Sequence, residues 1–370
     1  MPSLPLRTWL QIDRSALRHN LAAIGKRIGS PGPQIIAAVK ANAYGHGMIP
    51  VAREALAGGA AVLGVADLDE LRALRGAGIA APVLLFDPAL AQELPEIVAL
   101  GGWVTLSTYE EAARLDRASR KAGKIAQAHF KVDTGMGRVG LAPALAVDEL
   151  RRILRLTHLR VLAAYSHFAS ADSDPAFTRR QLAAFRIVRR EFPELPWHFA
   201  NSPALLRDPA AFRASAYVRA GLAFYGLPPC PGDRERHRLR PALAWKARIT
   251  LVRPLEKGAT VSYGATYRLP RAERLATIAV GYGDGYPRAL SNRASVLIGG
   301  RRCPVRGRVT MDQIVVDVSR VPRARAGDEV VLLGRQGREE ITADELARHA
   351  DTISYEIVTR LAERLPRLYS

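Results

Sequence analysis

Cysteine is scarce in this chain of 370 residues, which has only two, Cys230 and Cys303, far apart and outside any CxxC motif. This scarcity argues against a disulfide framework and against a cysteine-ligated metal site, and it fits a cytoplasmic protein. Long apolar runs are also missing, so we predict no membrane-spanning segment. Residues 1–12 contain no uninterrupted hydrophobic stretch of the kind that a secretion signal needs.

Acidic residues are outnumbered, since 54 Lys and Arg stand against 35 Asp and Glu and give a formal net charge of +19. Such an excess could indicate a nucleic-acid partner. The arginines, however, are spread along the chain in helix-like stretches, and the densest run, at 234–240, has no interleaved aromatic residues. No nucleic-acid-binding motif is present. We therefore interpret the charge as a solvated, arginine-rich surface.

Short apolar runs alternate with longer amphipathic ones from residue 35 to about residue 225. Between them, the segments that begin at Asp67 and Thr108 resemble capping boxes at helix starts. Eight strand–helix units of this size indicate a (β/α)8 barrel of the TIM type rather than an open sheet. The predicted strands are Ile35–Val39, Ala61–Val65, Pro82–Leu85, Trp103–Leu106, Ala126–Val132, Leu159–Tyr165, Trp197–Ala200 and Ala216–Arg219.

The pattern changes at a linker near residues 228–240 that is rich in proline, glycine and charge. Beyond it, β-branched and alternating runs predict a second, mainly β domain, with one helix starting after Thr342. A further strand, Thr8–Ile12, could join either domain. The predicted strands of the second domain are Leu243–Val252, Ala276–Val280, Ser295–Ile298, Ile314–Val318 and Glu329–Leu333.

A lysine follows the first predicted barrel strand. Lys40 comes directly after an apolar run and before a glycine-rich turn at Gly45 and Gly47. Burying a lysine costs free energy unless it has a partner or a task. Burial also lowers the pKa of a lysine amine and frees it to attack carbonyl groups. The same position could equally hold a lysine whose amine reaches solvent along an apolar surface.

The other predicted strands also end in polar residues, and the carboxyl ends of barrel strands form the active-site rim. Ser202 and Gly221 follow the seventh and eighth strands, where such barrels usually bind phosphate. A phosphate site on the same rim as a reactive lysine suits pyridoxal phosphate (PLP). Taken singly, each residue could instead be a helix cap, a turn or a surface ion pair. The rim residues are Lys40, Lys131, Asp133, Arg138, His167, Asn201, Ser202, Arg219 and Gly221.

One motif points elsewhere, because residues 135–140 have the form GxGxxG and follow a strand. They follow the fifth strand, however, and no acidic residue lies at the expected offset after the next one. A lone glycine fingerprint is weak evidence, so we expect no dinucleotide site.

Longer motifs along the chain resemble the alanine racemases, a family of PLP-dependent enzymes. The segment AVKANAYGHG at 38–47 is similar to the PLP-lysine motif of that family, and KVDTGMGR at 131–138 is a second likeness. The likeness continues in order as far as Tyr355 and covers nearly the whole chain. The remaining motifs are SHFA at 166–169, ANS at 200–202, RAGL at 219–222, VSYGATY at 261–267, GYGDGYPR at 281–288 and GRVTMDQ at 307–313.

The resemblance implies a PLP-binding barrel over residues 12–235 and a mainly β domain made of residues 1–11 and 236–370. It implies a homodimer with shared active sites, in which Tyr263 and Met311 come from the partner subunit. Lys40 would carry PLP and act as one base, and Tyr263 would be the opposite base. The residues implied to hold the cofactor are Lys40, Tyr44, His167, Asn201, Ser202, Arg219, Gly221, Leu222 and Tyr355.

The resemblance also implies a substrate site. Arg138 and the backbone N–H of Met311 would bind the substrate carboxylate, with Asp312 beside them. Lys131 matches a lysine that is carbamylated in many family members and orients the arginine. No metal is implied.

The implied activity is the interconversion of L-alanine and D-alanine, which would supply D-alanine for peptidoglycan. Two bases on opposite faces of the substrate can move the Cα proton without turning the substrate over. The nearest alternative is a racemase of the same fold with a wider pocket, acting on serine or lysine. A PLP-dependent barrel decarboxylase would usually carry a different β domain with a reactive cysteine, and a PLP carrier would consist of a barrel alone.

Overall fold

The structure, a computed structural model, describes residues 6–230 and 232–370. These residues form two compact units. We name residues 16–43 and 48–240 the barrel unit, and residues 6–15, 44–47 and 241–370 the β unit. In the part of the chain that the structure describes, no helix combines the length and the apolarity needed to cross a bilayer.

Within the described residues of the barrel unit, eight parallel strands close into a barrel, which confirms the predicted fold class. The ring closes where Gln34 pairs with Tyr217. Most residues of these strands are apolar, as expected for strands that are buried on both faces, and Ile36, Val62 and Leu84 of three neighbouring strands pack together. With Thr8–Ile12 as β1, the barrel strands are β2 (Gln34–Ala38), β3 (Val62–Val65), β4 (Val83–Pro88), β5 (Trp103–Leu106), β6 (Ala126–Lys131), β7 (Leu159–Tyr165), β8 (Trp197–His198) and β9 (Tyr217–Ala220).

The helices begin where their capping residues predict. Thr108 and Glu111 form a complete capping box, whereas Asp67 caps the N–H of Glu70 and the Glu70 carboxylate bonds elsewhere. The helices up to residue 240 are α1 (Arg14–Ile28), α2 (Met48–Ala57), α3 (Leu68–Gly76), α4 (Leu94–Ala99), α5 (Tyr109–Lys121), α6 (Pro143–Ile153), α7 (Pro175–Glu191), α8 (Ser202–Arg207) and α9 (Asp233–Arg236).

The backbone that follows Lys40 is left-handed. Ala41, Asn42 and Ala43 have φ angles of 52°, 52° and 53°, and Tyr44 continues at 52°. This conformation costs about 1–2 kcal/mol for each residue that carries a β-carbon. The chain therefore makes a strained turn directly after the lysine, on residues with side chains as well as on the glycines that come next.

The predicted linker packs on the barrel unit. Arg207 binds the buried Asp233 at 3.0 Å between Nε and Oδ1. The Asn20 side chain exchanges two hydrogen bonds of 2.8 Å with the backbone of Arg240. These contacts tie the charged segment to helices α1 and α8.

The β unit is built on a twisted sheet in which β1 lies between β10 and β19. Strand β1 is antiparallel to β10 and parallel to β19, so Thr8–Ile12 joins the second unit. The elements of this unit are β10 (Leu243–Leu255), β11 (Thr260–Val261), β12 (Tyr267–Arg268), β13 (Glu273–Ile278), β14 (Ser295–Ile298), β15 (Arg301–Pro304), β16 (Ile314–Asp317), β17 (Glu329–Gln336), β18 (Glu339–Ile341), β19 (Arg367–Tyr369), α10 (Ala343–Ala350) and α11 (Ser354–Thr359).

Candidate active site

The site residues predicted from the sequence fall into two groups, one in each unit. The barrel unit holds Lys40, Lys131, Arg138, His167, Asn201, Ser202, Arg219, Gly221 and Leu222. The β unit holds Tyr44, Tyr263, Met311, Asp312 and Tyr355.

Lys40 lies just beyond the carboxyl end of β2. Its side chain is half-buried, and its Nζ is 5.8 Å from the centroid of the Phe86 ring. The left-handed turn that follows is held at its first residue, because the N–H of Ala41 donates to Oε1 of Glu70 at 2.6 Å. The amine is thus partly shielded by an aromatic ring and attached to a backbone whose conformation is constrained.

Arg219, on β9, is a buried cation surrounded by neutral acceptors. Its Nη2 donates to the carbonyl oxygens of Ser166 at 2.9 Å and Phe199 at 2.8 Å, and it lies 3.1 Å from Nδ1 of His167. Within residues 6–230 and 232–370, no carboxylate forms an ion pair with it. Burial lowers the pKa of Arg219 to about 10, which still leaves the guanidinium charged at neutral pH.

Arginine can donate hydrogen bonds but cannot accept them, and this fixes which nitrogen carries the proton in His198. Nη1 of Arg219 lies 2.5 Å from Nδ1 of His198, so that nitrogen must accept and the ring proton must lie on Nε2. Nε2 of His198 then donates to Nδ1 of His129 at 2.8 Å. Burial holds the pKa of His198 and His167 well below the usual range, and the Arg219 charge lowers it further. These rings are therefore neutral.

Sequence reasoning named His167 and missed His129 and His198. The sequence does contain an indication for His129, because side chains alternate along β6 and His129 therefore lies on the same face as Lys131. His198 similarly lies inside a strand that was interpreted as apolar. Both histidines are fully buried inside the barrel, beside Tyr165, whose ring stacks on His198 at 4.6 Å between centroids.

Lys131 is a buried amine that lies 5.4 Å from the centroid of the Tyr165 ring and hydrogen-bonds to backbone carbonyls. Its Nζ donates to the backbone oxygens of Val132 at 2.9 Å and Val139 at 3.2 Å. Burial lowers the pKa of Lys131 to about 7, the Arg219 charge adds to this, and Asp133 opposes it. A large fraction of the amine is therefore uncharged near neutral pH, and an uncharged amine can react with carbon dioxide. Arg138 is exposed on the following loop.

The loops after β8 and β9 meet at Ser202. Its Oγ accepts the N–H groups of Gly221 at 3.0 Å and Ala223 at 3.3 Å. Asn201 caps α8 through the N–H of Ala204 at 3.3 Å, and Leu222 is buried beside Gly221. Because the Ser202 oxygen already accepts, its own proton is the group left to donate to an anion.

In the β unit, Tyr44 and Tyr355 are brought together, with ring centroids 6.2 Å apart. Burial raises the pKa of Tyr44 to about 12, so its hydroxyl stays protonated and can donate. Residues 44–47 are held by two residues of the same unit. Nε of Arg367 donates to the carbonyl of Gly45 at 2.9 Å, and the Tyr369 hydroxyl donates to the carbonyl of His46 at 3.0 Å.

Tyr263 lies on the turn between β11 and β12 and is 72% exposed. The neighbouring Ser262 hydroxyl donates to the carbonyl of Arg308 at 2.7 Å and fixes this turn. Met311 is 55% exposed, and its carbonyl accepts the N–H of Gly283 at 2.9 Å.

Asp312, next to Met311, is also exposed. Its Oδ1 lies 3.5 Å from the Arg364 guanidinium, which binds the buried Asp284 more closely, at 2.8 Å. Arg364 thereby links the Met311 loop to the turn that follows Gly281.

Comparison with known proteins gives a consistent result. Residues 12–229 match the family model of the alanine racemase N-terminal domain, and residues 242–369 match that of the alanine racemase C-terminal domain. The chain is 46% identical to an alanine racemase of Methylacidiphilum infernorum over 98% of this chain and 92% of that protein. It is 48% identical to that of Symbiobacterium thermophilum over 98% of this chain and 97% of the relative.

Among solved structures, the alanine racemase of Clostridium difficile 630 superposes with a TM-score of 0.93 at 30% identity, over 100% of this chain and 97% of that one. The chain therefore belongs to the alanine racemase family, whose members are PLP-dependent isomerases. The family resemblance noted in the motifs is confirmed.

Proposed function

We propose that this protein interconverts L-alanine and D-alanine with PLP as cofactor, using Lys40 and Tyr263 as the two bases. The observation that carries the proposal is the environment of Arg219. A buried cation on the barrel rim, with only neutral acceptors around it, suits a ligand that offers a neutral nitrogen acceptor. The pyridine ring of PLP offers such a nitrogen, and Lys40 lies just beyond the carboxyl end of β2 in the same barrel.

The donor groups fit the rest of the cofactor. Lys40 supplies an amine for covalent attachment. The Ser202 hydroxyl, the backbone N–H of Leu222 and the hydroxyls of Tyr44 and Tyr355 suit a phosphate, since all are neutral donors. Gly221 supports the phosphate site by holding the Ser202 oxygen through its own N–H. Asn201 and His167 complete the set by positioning Ser202 and Arg219. When bound, the cofactor supplies an electron sink that acidifies the Cα–H bond of an attached amino acid.

Racemisation then needs two proton carriers on opposite faces of Cα. We infer that one of these bases removes the proton and the other returns one to the opposite face, with the roles reversed in the opposite direction. Arg138 and the Met311 backbone N–H bind the substrate carboxylate, with Asp312 beside them. Lys131, as a carbamate, orients Arg138. Its lowered pKa supports this, because the uncharged amine is the form that captures carbon dioxide.

The active unit in this proposal is a homodimer in which Tyr263 and Met311 reach the site of the partner subunit. The exposure of both side chains supports a shared site, since large apolar groups gain most from being covered. The barrel domain, residues 12–235, would bind the cofactor, and residues 1–11 with 236–370 would form the other domain. The product would supply D-alanine for peptidoglycan in the cytoplasm.

The first test is chiral chromatography of L-alanine incubated with the PLP-loaded protein. Conversion towards an equal mixture, abolished in Lys40→Ala and strongly reduced in Tyr263→Phe, supports the proposal. Tyr109→Phe, which removes a tyrosine hydroxyl from the start of α5, is the matched control and should retain activity. Racemisation of serine or lysine without alanine would keep the mechanism and change the substrate. No racemisation of any amino acid would contradict the proposal.

The shared site has a test of its own. Lys40→Ala and Tyr263→Phe proteins, each nearly inactive, are unfolded together and refolded as a mixture. In a heterodimer with shared sites, one site combines both defects and the other has neither. Random pairing should then restore about a quarter of wild-type activity, a value set by dimer symmetry. A mixture no more active than its components would argue for sites contained within one subunit.

A further inference from the structure

Glu70 belongs to the first turn of α3, yet one of its oxygens bonds the turn that follows Lys40. Oε1 accepts the N–H of Ala41 at 2.6 Å, and Oε2 accepts the N–H of Ala66, at the start of its own helix, at 2.7 Å. The carboxylate thus joins the carboxyl end of β2 to that of β3.

The equivalent residue of α5 behaves as an ordinary capping glutamate. Glu111 places one oxygen, Oε2, on both N–H groups of its own turn, at 2.7 Å from Ser107 and 3.1 Å from Thr108. Both glutamates stand at the third position of a helix that follows a barrel strand, after a side-chain cap. Glu70 differs in that one of its oxygens serves a neighbouring strand–helix unit.

The turn that Glu70 reaches needs support. Residues 41–43 are left-handed, and such strain persists only where surrounding contacts hold it. Asn42 accepts the N–H of Met48 at 2.8 Å, and the N–H of Ala43 donates to the carbonyl of Val39 at 2.8 Å. These two bonds stay within the local segment. The bond to Glu70 is anchored in a different helix, so it can hold the turn in place relative to the barrel.

The hydrogen bond between Ala41 and Glu70 also restrains the backbone of Lys40. The N–H of Ala41 belongs to the peptide group that begins at the carbonyl carbon of Lys40. Fixing that peptide plane fixes the ψ angle of Lys40 and so the direction in which its side chain leaves the backbone. On balance the pKa of Glu70 is raised, first by burial and also by the charge of Asp67, while the bonds from Ala66 and Ala41 and the charge of Lys40 act in the opposite direction.

We propose that Glu70 is a positioning residue for Lys40, whose carboxylate holds the left-handed turn and thereby aims the lysine amine at the rim. This inference rests on the proposed function, in which Lys40 carries PLP. Glu70 itself touches neither substrate nor cofactor in this role.

The test compares Glu70→Gln with Glu111→Gln. Glutamine keeps the shape but replaces one of the two acceptor oxygens with an NH2 donor, and the two N–H groups bind different oxygens of Glu70, so Glu70→Gln cannot keep both bonds in this geometry. The rate of covalent attachment of PLP to the apo protein is followed by borohydride trapping and peptide mass spectrometry at Lys40. We expect Glu70→Gln to slow attachment by about tenfold to a hundredfold, the range for losing a hydrogen bond to a charged group. Glu111→Gln should stay within about twofold of wild type, because its bonds serve only its own helix start.

A second arm separates positioning from general stability. Glycine adopts left-handed conformations without the β-carbon penalty, so Ala41→Gly should restore much of the attachment rate in the Glu70→Gln background. A role confined to capping α3 predicts no rescue. Two results would overturn the inference. One is attachment of PLP that is equally fast in Glu70→Gln and Glu111→Gln. The other is a slow or poorly folded Glu70→Gln protein that Ala41→Gly does not improve.

Hydrogen exchange of the peptide that contains residues 39–45 gives a readout without cofactor. Exchange should accelerate in apo Glu70→Gln and not in apo Glu111→Gln. If the wild-type protein attached no PLP at Lys40, the proposed function would fail, whereas this exchange difference would still show that Glu70 restrains the turn. Unchanged exchange in apo Glu70→Gln would count against the restraint itself.

Discussion

Nη1 of Arg219 donates a hydrogen bond to Nδ1 of His198, and this contact sets the protonation of the buried histidines beyond it. Because arginine cannot accept a hydrogen bond, His198 must leave Nδ1 bare and pass its Nε2 proton towards His129. A proton added to either ring would oppose the Arg219 charge inside the barrel. The folded protein therefore resists protonation of this cluster, and acid acts on it by favouring the unfolded chain, in which these histidines take up protons readily.

We expect the free energy of unfolding to fall as the pH drops below about 6.5, the ordinary histidine pKa that the unfolded chain regains. Burial and the Arg219 charge lower the pKa of folded His129 to about 3. Between these values the unfolded chain binds more protons, so acid favours unfolding by up to about 1.4 kcal/mol per pH unit for each such histidine. The stability is complete above pH 6.5 and declines towards pH 3. Denaturant titrations at pH 8, 7, 6 and 5 measure the slope.

The matched variant is His129→Gln, which removes one of these titrating groups. Its stability at pH 8 should be lower, but its decline between pH 6.5 and 5 should be shallower than that of the wild type. Parallel curves for the two proteins would show that His129 does not titrate as described.

Lys131 should form a carbamate in bicarbonate buffer. With a pKa of about 7, much of its amine is uncharged at neutral pH, and the uncharged amine adds carbon dioxide with release of a proton. Protein in ¹³C-bicarbonate should show a carbamate carbon signal that increases from pH 6 to pH 8 and is lost in Lys131→Ala. Lys124→Ala, which removes a lysine from the loop between α5 and β6, should leave the signal in place. A signal that survives in Lys131→Ala would assign it to another amine.

Gly281→Ala should disturb the Met311 loop. A β-carbon at Gly281 would collide with the backbone oxygens of Thr310 and Met311, which cannot move without moving the loop. We expect a loss of about 1–3 kcal/mol in stability and a raised KM for alanine, since the Met311 N–H is proposed to bind the carboxylate. Gly76→Ala, at the end of α3 with open space around it, should change stability by no more than about 1 kcal/mol. An unchanged KM in Gly281→Ala would argue against Met311 at the substrate site.

Arg219→Glu should increase transamination of alanine to pyruvate. A cation at the cofactor nitrogen disfavours protonation of that nitrogen and weakens the electron sink, whereas a carboxylate favours it. Pyruvate formed per racemisation event is the measurement. Arg219→Lys keeps the positive charge and should stay near the wild-type ratio. If the wild type, Arg219→Glu and Arg219→Lys formed equal amounts of pyruvate per racemisation event, the charge of Arg219 would not be what suppresses transamination.

The barrel could be predicted because its strands are apolar runs of the expected length, separated by helices that begin at recognisable caps such as Thr108. The rim could be predicted because Lys40 and Ser202 directly follow such runs. Shorter strands could not, since β11 and β12 have two residues each and show no period. The pair of tyrosines 44 and 355 was implied by family likeness, because no local pattern joins residues so distant in sequence.

Two features of the candidate site leave little mark on the sequence. The left-handed turn uses Ala41 and Ala43, and alanine does not signal a positive φ as glycine would. Glu70 looks like a capping glutamate, and only the fold brings its second oxygen to Ala41. In both cases tertiary contacts select a conformation or a partner that local propensity does not specify.

The position of β1 bears on how the chain matures. Residues 8–12 leave the ribosome early, but their neighbours in the sheet, β10 and β19, begin at residues 243 and 367. Until those strands are synthesised, Trp9, Leu10 and Ile12 have no sheet in which to be buried. The barrel can close once residues 217–220 have emerged, whereas the β unit must wait until residues 367–369 have been synthesised. Nascent chains should therefore expose an apolar edge at residues 8–12 until β10 and β19 are made, and a chaperone that binds such edges would find it there.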